Sequence, residues 1–300
     1  MKNATNALLK SISASKEVVI YALDATDLVQ ESMERLSSFP TATNHVGQAM
    51  MASVLLQALS DSEENETFSL QWMCPGPFGH VYAESRNYGE VRGTIAEPQA
   101  AITDYATGLG EGLLQVRRAK GPIATTSVVK AKGSISLDVV EYLEQSEQKN
   151  CGIGLSVQVG WADEAKTQFK VTQAWGYLVH VLPQDTEEKM NAVLLRWDRQ
   201  MEALGPVSQW GLRPDHTTLD MVRLLSSEAD PKIVMNQRVI FSCNCSEDRA
   251  ARALALLETQ EQKEGVQLVT PVTEIRCEFC GRIYKVEAGK SAEFKKGGSV

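Results

Sequence analysis

Four of the six cysteines in this 300-residue chain fall into two tight pairs near the C-terminus, Cys243-Asn244-Cys245 and Cys277-Glu278-Phe279-Cys280. No other feature constrains folding as strongly, because two pairs of soft ligands on two loops can close a tetrahedron around one ion. Zn²⁺ takes four thiolates at about 2.3 Å in structural sites of this kind. Gly281 follows Cys280 directly and suits the tight turn of a zinc knuckle, where a residue without Cβ lets backbone approach sulfur. The interval between the pairs predicts a helix near 247–259 with Ser246 as its cap, then a hairpin from the residues flanking Cys277–Gly281.

Two other readings of the cysteines are open: disulfides in a secreted chain, or unrelated buried thiols. The N-terminus has no continuous apolar run of the signal-peptide kind, which disfavours the first, and local pairing disfavours the second. A zinc module is commonly structural or a nucleic-acid reader. Residues 241–300 carry nine Lys or Arg against nine Asp or Glu, which is not the basic stripe of a reader. A zinc-ribbon nucleic-acid-associated protein is nevertheless the alternative, and a thiol oxidoreductase using Cys277 and Cys280 a third. A module this small and poor in large apolar residues has little core of its own. Zinc binding, worth roughly 10–16 kcal/mol in small domains, rivals the roughly 5–15 kcal/mol stability of a typical fold, so oxidising the ligands should unfold the module.

The whole chain is acidic, with a net charge of −8. That balance disfavours long-range attraction to nucleic acid or anionic lipid. No apolar stretch approaches the roughly 18 residues of a membrane span, and a cytoplasmic location is expected.

From Val18 to Pro183 the pattern alternates strands with helices, which predicts an α+β domain over 1–183. Strands are expected at 18–23, 67–73, 81–84, 112–116, 151–159 and 176–182, with another between Gly89 and Gly93; helices are expected at 26–38, from Thr41 through Leu59, and at 137–147. Beyond Pro183 the spacing becomes helical. Asp185 is read as the cap of a helix whose Met190, Val193, Leu194, Trp197, Met201 and Leu204 form one broad apolar stripe, and a second helix is expected at 217–226. This segment, 184–236, is taken as a helical linker and 237–300 as the zinc-binding domain. The stripe is ordinarily a packed face. Its functional reading is a conditional hydrophobic surface, hidden while its partner is folded.

His45, His80, His180 and His216 are scattered and form no catalytic or metal motif, and no nucleotide-binding glycine signature occurs. Cys74 and Cys151 lie on predicted strands in apolar context and read as inert thiols. The chain is therefore read as non-enzymatic.

Across most of its length the sequence resembles the redox-regulated heat shock protein 33 chaperones. The resemblance lies in Tyr21-Ala22-Leu23-Asp24-Ala25-Thr26, Pro40-Thr41-Ala42-Thr43, Gly76-Pro77-Phe78-Gly79 followed by Gly89-Glu90-Val91-Arg92-Gly93, Tyr142 with Ser146-Glu147-Gln148, Gly176 to Pro183, and the C-x-C then C-x-x-C order. The chain departs from the family at His45-Val46-Gly47-Gln48 and at Glu97, none of them a cysteine. The resemblance implies an ATP-independent holdase that is inactive while Cys243, Cys245, Cys277 and Cys280 bind zinc. Under oxidative stress those residues pair locally, Cys243 with Cys245 and Cys277 with Cys280, and zinc leaves. It further implies unfolded proteins as clients, ATP-dependent foldases as downstream partners and a homodimer in the oxidised state, with Met190, Val193, Leu194, Trp197 and Met201 as the face offered to clients.

Overall fold

The computed structural model describes residues 6–60, 66–102, 105–213, 215–264 and 272–287. The chain divides into two compact units, Met1–Ser242 and Cys243–Val300. The first is α+β, as expected.

Its first sheet has five strands in the order β10-β1-β2-β9-β8. These are β1 (Ala7–Ile12), β2 (Val18–Asp24), β8 (Asn150–Trp161), β9 (Phe169–Val181) and β10 (Ile233–Arg238), all paired antiparallel. All seven residues of β2 are buried because helices cover both faces of the sheet. A strand covered on both sides reads as continuous apolar sequence rather than alternation, as Val18-Val19-Ile20-Tyr21-Ala22-Leu23 does. The second sheet runs β11-β5-β4-β3-β6-β7, built from β3 (Glu66–Met73), β4 (His80–Arg86), β5 (Glu90–Ile95), β6 (Gly112–Lys120), β7 (Ile123–Ala131) and β11 (Ile240–Phe241).

Helix α2 (Pro40–Leu59) packs on both sheets. It is buried almost all round, and its sequence carries no Asp, Glu, Lys or Arg from Pro40 to Leu59, the composition a helix needs when no face meets water. Helix α1 (Thr26–Leu36) has no cap from its own N-terminal residue. Asn6, far away in sequence, supplies one, its Oδ1 accepting from the N–H groups of Asp27 and Leu28 at 3.0 and 3.2 Å. Helix α3 (Ile135–Gln145) packs on β7 and β8. Its buried Asp138 accepts from Trp72 Nε1 and Lys132 N, joining the helix to the sheet.

The far face of the five-stranded sheet is covered by α4 (Glu187–Leu204), α5 (Val207–Trp210) and α6 (Thr218–Ser226). Thr186, not the expected Asp185, caps α4: its hydroxyl accepts from Lys189 N, while Asp185 ion-pairs with the Lys189 side chain. Thr217 and Asp220 form a reciprocal capping box on α6. The segment between these helices and the cysteines is strand: β10 pairs with β1, and one residue later β11 joins β5 in parallel.

Candidate metal centre

The second unit consists of α7 (Glu247–Glu264) and a hairpin of β12 (Val272–Arg276) and β13 (Ile283–Glu287). Ser246, directly after Cys243-Asn244-Cys245, caps α7, its Oγ accepting from Arg249 N at 3.2 Å. The hairpin turn is the knuckle expected around Gly281. Cys277 N–H donates to Arg282 O at 2.8 Å, Gly281 N–H donates to Cys277 O at 2.9 Å, and Gly281 sits at φ 69°. That left-handed backbone is open to glycine at little cost.

These two loops bring all four sulfurs within 4.8 Å of one another. Cys243 and Cys277 are 3.7 Å apart, and Cys245 and Cys280 3.4 Å. Four sulfurs each about 2.3 Å from one ion in a regular tetrahedron are about 3.8 Å apart, so the constellation has the size a metal requires. Sulfurs at this separation are thiols rather than disulfides. Two of the thiols, Cys280 and Cys245, are displaced in opposite directions. Burial pushes the Cys280 thiol up, and hydrogen bonding to the neighbouring sulfurs pushes the same way. Cys245 also feels burial, but hydrogen bonds from Tyr284 and the other thiols outweigh it and pull its thiol down. The donor set is that of a closed four-cysteine metal site. Among the described residues no second group of three or more His, Cys, Asp or Glu side chains converges in this way.

Among the described residues the core beneath the site is small. Ala250, Ala251, Leu254 and Val286 are buried, with Ile275 and Tyr284 against them, while Leu256 and Leu257 are exposed. Among the described residues of this unit few apolar groups are buried, and a core of that size gains stability from a cross-link.

A family description, Hsp33 protein, matches residues 6–287. The chain belongs to the Hsp33 family. Relatives in that family include the 33 kDa chaperonin of Symbiobacterium thermophilum, 29% identical with 97% of each chain covered. That of Aquifex aeolicus is 28% identical, covering 96% of this chain and 90% of the relative. The crystal structure of the 33 kDa chaperonin from Thermotoga maritima superposes with a TM-score of 0.81 at 22% identity, over 97% of this chain and 98% of the other. The fold of this Hsp33-family chain is therefore shared across its length.

The remaining sequence candidates fall elsewhere. Met190, Val193, Leu194, Trp197 and Met201 share the inner face of α4, packed against a cluster that includes Ile20, Ala22, Tyr177, Val179 and Val222. Val193 is fully covered and the other four are half-buried. Burial pushes the thiol of Cys151 up to about 12. Cys74 is also pushed up, by burial and then by the nearby Asp138 carboxylate. Both are poor nucleophiles in the folded chain. His45 is buried against Phe78, with Nδ1 on Thr41 O at 2.9 Å, and its pKa is lowered by burial. Sequence reasoning passed over Tyr284, whose hydroxyl lies 3.1 Å from Cys245 Sγ. Its only signal was position: in β13 it shares the strand face of the buried Val286. No helix among the described residues is long and apolar enough to cross a membrane.

Proposed function

We propose that the chain is a redox-regulated, ATP-independent chaperone that holds unfolding proteins under oxidative stress and performs no catalysis. The observation that carries this reading is the convergence of Cys243, Cys245, Cys277 and Cys280 in a unit whose described residues bury few apolar groups, within a family whose relatives are named chaperonins. Zinc bound at the four sulfurs would keep them as thiolates and tie the two loops together.

Oxidation removes that tie. A thiolate attacks the O–O bond of peroxide, becoming a sulfenic acid as hydroxide leaves and takes up a proton to become water. The neighbouring thiol then displaces a second water to form the disulfide, two electrons per pair having passed to the peroxide. Following the resemblance, the pairs are Cys243–Cys245 and Cys277–Cys280. With its ligands consumed the unit that begins at Cys243 loses its cross-link and unfolds. The 184–236 segment then acts as a linker whose helices loosen, so that Met190, Val193, Leu194, Trp197 and Met201 become available to clients. Met190, Leu194, Trp197 and Met201 are only half-covered in the folded chain, so a modest displacement of α4 suffices to offer them. The acidic balance of the chain keeps a client complex in solution. Homodimerisation of the oxidised form and transfer of clients to ATP-dependent foldases complete the cycle.

The reading is tested on protein purified under reducing conditions. Wild type is expected to hold one zinc and to suppress aggregation of a denatured test protein only after peroxide at raised temperature, with or without ATP. Cys277→Ser is expected to lose tight zinc binding. Stoichiometric zinc in Cys277→Ser, or holding activity indifferent to oxidation, would refute it.

A further inference from the structure

Tyr284 belongs by sequence to the Cys277–Cys280 half of the site, four residues past Cys280 on β13, yet its hydroxyl lies 3.1 Å from the sulfur of Cys245 in the other half. Its ring packs against the cluster of Ala250, Ala251, Leu254 and Val286, which fixes where the hydroxyl points. Arg282 Nη1 approaches the same oxygen at 3.4 Å. A guanidinium can only donate, so it takes a lone pair on the oxygen and leaves the hydroxyl hydrogen for the sulfur. A metal-bound thiolate carries no proton and can only accept. Each group thus has the role its neighbour requires.

We propose that Tyr284 is a positioning residue of the four-sulfur site, donating a hydrogen bond to Cys245 that holds this sulfur in the ligand set and joins the two halves. The proposal rests on the reading of the site as a metal centre. A hydrogen bond to a charged sulfur is of the stronger, charge-assisted kind, and partners of this sort beyond the ligands themselves typically govern metal affinity by about 10- to 100-fold. When Cys245 is oxidised its sulfur ceases to be an anionic acceptor, so the hydroxyl bridge is weakened with the ligand set.

The test uses the full chain as wild type, Tyr284→Phe and Val286→Ala. Phe keeps the ring and removes the hydroxyl, whereas Val286→Ala weakens the same cluster without touching the hydroxyl. Zinc affinity is read by competition with a chromophoric chelator, and the sulfur-to-cobalt charge-transfer band is recorded after loading with Co²⁺. Tyr284→Phe is expected to bind zinc at least about 10-fold more weakly and to shift the band, while Val286→Ala leaves the band where wild type has it. Unchanged affinity and band in Tyr284→Phe overturn the proposal. If Tyr284→Phe takes up no metal, Val286→Ala decides. Loss of uptake there too assigns the tyrosine a packing role and overturns the proposal; uptake with the wild-type band sustains it. A wild-type chain that takes up neither zinc nor cobalt fails the metal reading itself, before any variant is compared, and the proposal falls with it.

Discussion

Gly152 on β8 lies beneath Trp197 of α4, and a Cβ added there would stand 2.0 Å from Trp197 Cη2 and 2.5 Å from Cζ2. Carbon atoms in van der Waals contact are about 3.5–4.0 Å apart, so Gly152→Ala requires the indole to retreat by about 1.5 Å or more. Gly152 is not at positive φ, so alanine meets no backbone strain there and the clash is the cost. Overpacking of this kind costs about 1–3 kcal/mol. Burying Met190, Val193, Leu194, Trp197 and Met201 contributes up to about 1.5–3 kcal/mol for each side chain fully covered, and less for the four that are half-covered. Alanine therefore loosens α4 without detaching it. Its open population should rise by about 5- to 150-fold, which amide hydrogen exchange across 187–204 reads directly, and reduced protein should show more basal holding activity than wild type. In a Trp197→Ala background the added methyl has room, and the penalty should shrink to within about 0.5 kcal/mol of zero. Equal exchange in wild type and Gly152→Ala, or a penalty that persists without the indole, would show that contact between position 152 and Trp197 does not hold α4 in place.

Two further outcomes are expected. Burial raises the carboxyl pKa of Asp24 against two opposing hydrogen bonds from Thr26, so between the ordinary carboxylate pKa and the raised one the folded chain keeps a proton the unfolded chain has lost. That contribution to stability is complete below the ordinary value and is lost as pH rises through the raised one. Asp24→Asn retains an oxygen for both Thr26 bonds and should melt higher than wild type at pH 7, with the difference vanishing in acid; a constant difference across pH would contradict the assignment. Alkylation of reduced, metal-stripped protein at pH 8, followed by peptide mapping, should modify Cys245 well ahead of Cys74 and Cys151. Equal labelling of Cys151 would show that its thiol is not suppressed by burial.

Much of the architecture was legible because it is local. The apolar stripe from Met190 to Leu204 forms the packed face of α4, and Ser246 and Gly281 perform the turn chemistry expected of them. What escaped was non-local. Strand β10 (Ile233-Val234-Met235-Asn236-Gln237-Arg238) alternates half-buried with exposed residues at a sheet edge, and it is a strand because β1, more than 200 positions earlier, presents the other half of the ladder. β7 is an edge strand with most residues exposed, so burial imposed no apolar pattern on its sequence. The two-sided burial of α2 was written in the missing charges between Pro40 and Leu59, a signal that periodicity alone does not report. At the site the cysteines announced themselves by spacing. Tyr284 could not, because a hydrogen bond from a strand to the opposite loop depends on the packing of its ring on α7.

In the proposed switch, oxidation at the four sulfurs exposes the inner face of α4. Hydrogen–deuterium exchange over residues 187–226, followed in one sample as peroxide acts at raised temperature, reads that exposure. Protection in the reduced protein that is lost in step with the appearance of holding activity is the expected result. Holding activity that appears while α4 and α6 stay protected would rule out the α4 face and place client binding on another surface.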